Sequence, residues 1–71
     1  MRKEEPFISV IMACYNRQNC VAQAIESILN QTYTNFEFII VDDHSTDNTY
    51  KIIKRYAKQD KRIIVLRNKK K

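Results

Sequence analysis

Two adjacent carboxylates, Asp42 and Asp43, follow the apolar run Phe38-Ile39-Ile40-Val41, with His44 beside them and Asp47 close behind. Acids paired in this way can bind a divalent cation, exchange a proton with a substrate, or accept N–H groups from a ligand. A second polar segment, Cys14-Tyr15-Asn16-Arg17, also follows an apolar run and supplies a thiol, an aromatic ring and a cation. Successive residues of a strand point to opposite faces, so Asp42 and Asp43 need not share one ligand, and one of them can cap the helix that follows. His44 is the lone histidine, sits in a loop, and is expected to be solvent-exposed without a role.

The elements that position these groups can be read from hydrophobic patterning. Phe38 to Val41 has no polar residue to turn toward water, which predicts a strand covered on both faces in a parallel α/β sheet, within Phe36 to Asp42. Phe7 to Ala13 is a similar β-branched run and predicts the first strand, and Arg62 to Arg67 predicts the third. Between the first two strands, Val21, Ala24, Ile25, Ile28 and Leu29 recur at helical spacing, predicting an amphipathic helix from Cys20 to about Gln31 with Asn19 as its N-cap. Thr49, Ile52, Ile53, Tyr56 and Ala57 repeat that spacing, with Ser45 or Thr46 as cap and Asp47 in the first turn, where negative charge suits the helix dipole. Strand, helix, strand, helix, strand with short connections is the pattern of parallel crossover units. Right-handed crossovers bring the three carboxyl ends to one edge, so Tyr15, Asn16 and Arg17 should face Asp42, Asp43 and His44 across a crevice.

Composition narrows the chemistry. The chain has 71 residues and no glycine, which argues against a glycine-rich phosphate cradle, because such turns need residues without a Cβ. A core of this size supplies only about 3 to 5 kcal/mol. Cys14 and Cys20 with one histidine do not make a four-ligand zinc site. The Cys, five residues, Arg loop of thiol phosphatases is not matched either, since Cys20 stands where the arginine belongs; a small buried Cys14 is the plainer expectation. A receiver domain would want a phosphorylatable Asp after the third strand, where Arg67 and Asn68 stand. No signal peptide is recognisable and no apolar run approaches the ~18 residues of a membrane span, so the expected setting is reducing and cytoplasmic.

Charge is distributed unevenly. Residues 1–50 carry three Lys/Arg against seven Asp/Glu, and residues 51–71 carry ten against one. A basic end of this kind suits nucleic acid, an anionic membrane or a phosphorylated ligand, but the plainer account is the solvated face of a helix at Lys51, Lys54, Arg55, Lys58 and Lys61. Nucleic acid is disfavoured as a partner, and membrane association is left open with no segment here that encodes it. Residues 1–5 and 68–71 are expected to be loose.

Three linked motifs carry a family resemblance: Phe7 to Asn16, Ala24 to Tyr33, and Phe36 to Thr49 with its Val41-Asp42-Asp43-His44-Ser45 core. In order and spacing they resemble the amino-terminal part of family-2 inverting glycosyltransferases of the GT-A fold, over Pro6 to Arg67. The resemblance implies an α/β fold, the βαβαβ half of a Rossmann-like domain, and hexosyl transfer with inversion from a nucleotide-sugar, most often a UDP-sugar. It implies that Tyr15 stacks on the base, that Asp43 accepts the N–H of a uracil ring, and that Asp42 is a neighbour that steadies the loop. Ala13 stands where many relatives carry Thr or Ser, leaving backbone contacts only, and His44 stands where glycine is common. The metal-diphosphate motif and the catalytic base of such enzymes are absent from these residues, so Mg or Mn is expected in the complete enzyme only. No catalytic residue or metal ligand is assigned here, and the 71-residue chain alone is expected to be inactive. The same reading leaves one edge of the first strand bare and predicts self-association there. The competing reading is a small basic α/β module that binds a protein partner or nucleic acid without catalysis.

Overall fold

The computed structural model describes residues 6–69; residues 1–5 and 70–71, assigned above to loose ends, lie outside the described residues. The elements are β1 (Ile8–Cys14), α1 (Val21–Leu29), β2 (Phe36–Asp42), α2 (Thr49–Gln59) and β3 (Ile63–Arg67). The strands form one parallel sheet in the order β1-β2-β3. Register aligns Cys14 with Asp42 and Asp42 with Arg67, which gathers the three carboxyl ends at one edge as the crossover pattern requires.

The core lies between the sheet and both helices. Phe36, Phe38 and Ile40 of β2 meet Val21 and Ile25 of α1, Ile53 of α2, Cys14 of β1 and Ile63 of β3 in a single buried cluster. Phe38, Ile25, Ile40 and Ile53 are fully buried, each contributing about 1.5 to 3 kcal/mol relative to exposure. Asp60 ends α2 with its backbone N–H on the Tyr56 carbonyl. Its carboxylate then accepts from Arg62 Nε at 3.0 Å and a terminal guanidinium nitrogen at 2.8 Å, turning the chain into β3.

The expected covering of β2 on both faces does not occur within the described residues. Burial along β2 alternates strictly, because both helices pack on the side of Phe36, Phe38, Ile40 and Asp42. The opposite side presents the cross-strand rows Ile11-Ile39-Ile64 and Ala13-Val41-Leu66. Ile11 is 69% exposed and Leu66 52%. An uninterrupted apolar run fills both faces of a strand, but the two crossovers of this stretch cover only one.

Both predicted N-caps are also corrected. Cys20 and Asn48 occupy the cap positions of α1 and α2, and neither makes a side-chain cap hydrogen bond. Asp47 lies before α2 rather than in its first turn, and its carboxylate accepts the Thr49 N–H at 2.9 Å. The polar residues of the two loops are spent on each other, as follows.

Candidate functional site

The loop after β1 and the loop after β2 are stitched together at the carboxyl edge of the sheet. The Asp43 N–H donates to the Cys14 carbonyl at 2.9 Å, extending the pairing of β1 and β2 by one step. Beyond it, the Asn16 side-chain carbonyl accepts from the Thr46 N–H at 2.8 Å and the Asp47 N–H at 3.4 Å. Gln18 reciprocates with Asp47 and Asn48: its N–H reaches the Asp47 carboxylate at 3.3 Å, and its side chain accepts the Asn48 N–H at 3.1 Å.

Two buried hydroxyls act as relays in this seam. Ser45 Oγ donates to Asp42 and accepts the Asn16 N–H at 2.9 Å. Thr49 Oγ1 donates to Asp47 at 2.5 Å and accepts the Arg17 N–H at 2.7 Å. Each hydroxyl uses its proton on a carboxylate of its own loop and a lone pair on a backbone amide of the other. Ser45 was expected as a helix cap. It is a bridge between segments 29 residues apart.

Asp42 is fully buried at the centre of this arrangement. Its carboxylate accepts the Ser45 N–H at 3.1 Å and the Ser45 hydroxyl, and it meets Arg67 Nε of β3 at 3.3 Å. A second nitrogen of Arg67 reaches the Ser45 carbonyl at 3.1 Å, and the guanidinium lies 4.3 Å from the centroid of the Tyr50 ring. The Asp42 side chain has no surface to offer a ligand; it fastens the loop to β3. Asn68, placed in the loose end by sequence, joins the same framework: its N–H donates to the Asp42 carbonyl at 2.9 Å and its side chain to Asp43 at 3.2 Å.

The carboxylate of the pair that does reach the surface is Asp43, half-buried beside the Cys14 carbonyl that its own amide binds. Tyr15, the next residue of that loop, is 38% exposed, so the ring and the carboxylate emerge at the same edge. Ala13 is exposed and borders a cavity of about 190 Å³ with Met12, Cys14, Arg17, Cys20 and Val21. A larger concavity of about 410 Å³ lies elsewhere, between Gln18, Asn19 and the outer side of α2. It holds neither Tyr15 nor Asp43, and the convergence of the two loops is the better guide to the site.

The remaining titratable groups give no alternative chemistry. Burial pushes the Cys14 thiol up to about 11, with the charges of Asp42 and Asp47 adding to the effect, so it stays protonated and weakly nucleophilic near neutrality. For Asp47, burial acts to raise the carboxyl, but hydrogen bonds from Thr49, Gln18 and its own backbone outweigh it and hold the group below the usual range. His44 differs from the expected free side chain: it is half-buried at φ 62°, and its Nδ1 is buried without a partner. Among the described residues no three His, Cys, Asp or Glu side chains are placed to hold a metal ion. No helix among them is long and apolar enough to cross a membrane.

Residues 9–71 match the family profile described as Glycosyl transferase family 2. The chain is 49% identical over 65 residues to the putative glycosyltransferase EpsE of Bacillus subtilis, covering 90% of this chain and 23% of that protein. It is 46% identical over 61 residues to an Escherichia coli protein, UDP-Glc:alpha-D-GlcNAc-diphosphoundecaprenol beta-1,3-glucosyltransferase WfaP, covering 86% of this chain and 24% of that one. Among solved structures it is similar to a Pyrobaculum calidifontis mannosyltransferase in complex with GDP-Man and Mn2+, with a TM-score of 0.81 at 24% identity over 90% of this chain and 20% of that one. That likeness shows the Rossmann-like GT-A fold, and the chain spans a quarter or less of the length of each of these proteins. With the family profile matched from β1 onward and the same three-stranded α/β unit in place, the chain belongs to the family-2 glycosyltransferases.

Proposed function

We propose that these residues form the base-binding half of a nucleotide-sugar site. The observation that carries this reading is the Asp43 N–H to Cys14 carbonyl bond, which sets the accessible carboxylate of the acid pair beside the loop that presents Tyr15. Tyr15 offers a ring face to a planar heterocycle, and Asp43 accepts an N–H from its edge. Ala13 contributes backbone and a methyl group, and Asp42 keeps the loop in register from below. Uracil, with one ring N–H between two carbonyls, matches a single carboxylate acceptor, so UDP-sugar is the proposed donor. Guanine also offers N–H groups, and the mannosyltransferase neighbour holds GDP-Man, so GDP is the competitor that any test must include.

In the whole protein the reaction is transfer of the sugar to an acceptor hydroxyl with inversion. The described carboxylates of the seam do not fit a metal centre: Asp42 is spent on Ser45 and Arg67, and Asp47 on Thr49 and Gln18. In this reading a divalent ion, Mg2+ or Mn2+, and the base that activates the acceptor are supplied by other parts of the whole protein, and the 71 residues alone are proposed not to transfer sugar. Family membership does not favour a non-catalytic basic binding module.

Amide chemical-shift mapping during titration with UDP tests the placement. Shifts concentrated at Ala13, Tyr15, Asp43 and His44 support it. Shifts confined to the concavity bounded by Gln18, Asn19 and Arg55 would move the site to α2 and refute it.

A further inference from the structure

The outer side of α2 carries Lys51, Lys54, Arg55 and Lys58, all exposed, and no acid lies within the helix. Their spacing of three, four and seven residues aligns them in one stripe, roughly 10 Å long at the helical rise. Like charges so spaced repel each other and lower helix stability, offset only in part by Lys58 in the last turn and by Lys54 over the Tyr50 ring. Three of the described acids are committed elsewhere: Glu26 accepts the Tyr56 hydroxyl, Asp60 is held by Arg62, and Asp42 by Arg67. Among the described residues none of the four cations pairs with a carboxylate. The outward side of α1 is different, with Gln23, Glu26 and Ser27 exposed and no cation. The outer side of α2 is therefore a continuous basic stripe, which the outward side of α1 lacks.

We propose that this stripe is a docking surface for an anionic phospholipid membrane. The four cations together line a shallow depression of about 290 Å³. Lys51 and Arg55 also wall the neighbouring concavity of about 410 Å³, where Gln18, Asn19 and Asn48 add polar groups. Two adjoining hollows edged by flexible cations suit an array of phosphate headgroups, and a group of four Lys/Arg along one amphipathic helix is the pattern that anionic lipid attracts. Single-stranded nucleic acid would need an aromatic platform on the stripe. Tyr50, the ring that Lys54 of the stripe contacts at 5.6 Å, is also covered by Arg67 at 4.3 Å. The apolar side of α2 is committed to the core through the fully buried Ile53, so the helix rests on the headgroups without inserting. Docking of this kind is electrostatic and is screened by salt over a Debye length of about 8 to 10 Å.

The test is flotation of the 71-residue chain with vesicles of phosphatidylcholine alone and of phosphatidylcholine mixed with phosphatidylglycerol. Binding is expected to the mixed vesicles only, and to fall as salt is raised. Each single change, Lys51→Gln, Lys54→Gln, Arg55→Gln or Lys58→Gln, should weaken it about fivefold, and the four together by two to three orders of magnitude. These side chains are exposed, and an unchanged circular dichroism spectrum checks that the variants fold. Neutralising Lys69, Lys70 and Lys71 instead is the comparison for diffuse charge, and should weaken binding far less than the helix variant. The proposal is overturned if neutral vesicles bind equally, if the fourfold variant still binds, or if the terminal variant loses as much. Tighter binding to a DNA oligonucleotide than to the mixed vesicles at the same salt would also overturn it.

Discussion

Replacing Thr49 with valine isolates the hydroxyl relays that join the two loops. The side chain is fully buried, and valine keeps its shape and β-branching, so the core is neither hollowed nor overfilled. The Thr49 N–H still donates to Asp47, but two bonds through Oγ1 are lost, one to Asp47 at 2.5 Å and one from the Arg17 N–H at 2.7 Å. At about 1 kcal/mol net per bond, with a further fraction for the part-buried Arg17 amide left unpaired, the cost is about 2 to 3 kcal/mol. With a core that supplies only about 3 to 5 kcal/mol, this loss takes roughly half of the stability or more, and the variant should melt roughly 10 to 20 °C lower. Thermal and urea unfolding followed by circular dichroism measure it, and the midpoint should move while the urea slope stays constant. Thr49→Ser is the control, because it keeps the hydroxyl and loses one methyl group, costing about 1 kcal/mol. If burial of apolar surface governed the position, valine would be the milder change; a valine variant as stable as wild type, or more stable than the serine variant, refutes the relay.

Three further outcomes follow from the same geometry. Iodoacetamide near neutral pH should label the exposed Cys20 while Cys14, buried with its thiol pushed up to about 11, reacts only when the chain unfolds; mass spectrometry of tryptic peptides distinguishes the two. Stability should fall in acid, because Asp60, held down chiefly by its bond from Arg62, and Asp47 both titrate below the usual carboxylate range when folded. Their contribution is complete above the unfolded value of about 4 and is lost as pH falls below it, so urea midpoints should be level near neutrality and drop below about pH 4. Finally, the free edge of β1 and the apolar rows ending in Ile11 and Leu66 should drive self-association, seen as a concentration-dependent sedimentation coefficient and reduced by Ile11→Lys; a monomer at all concentrations would contradict it.

Much of the fold was legible because its signals are local. The β-branched runs and helical spacings mark five elements, and short connections between them require a parallel sheet. What the sequence could not show depends on where distant segments meet. Phe38 to Val41 is apolar at every position, and periodicity cannot say whether a given face is covered by this stretch, so the open rows of Ile39 and Val41 were not foreseen. Asn19, Ser45 and Thr46 have the chemistry of helix caps, yet Ser45 and Thr46 are bound to Asn16, about thirty residues away. That competition between local caps and a long-range seam is invisible to a window of neighbours. In the site, the resemblance singled out Tyr15 and Asp43, and the fold brings their loops together. Arg67 and Asn68 were missed as parts of it, because an arginine at a strand end reads as surface charge until its register with Asp42 is known.

The central claim is that Tyr15 and Asp43 together bind the base of a nucleotide-sugar, and calorimetric titration of the chain with UDP and with GDP addresses it most directly. UDP should bind with the higher affinity. Tyr15→Ala, which removes a stacking surface, should weaken it by about tenfold, and Asp43→Asn, which exchanges half of the acceptor for a donor, by a similar factor. Lys69→Gln should leave it unchanged. UDP binding that survives both substitutions, or that is no tighter than GDP binding, would contradict the account.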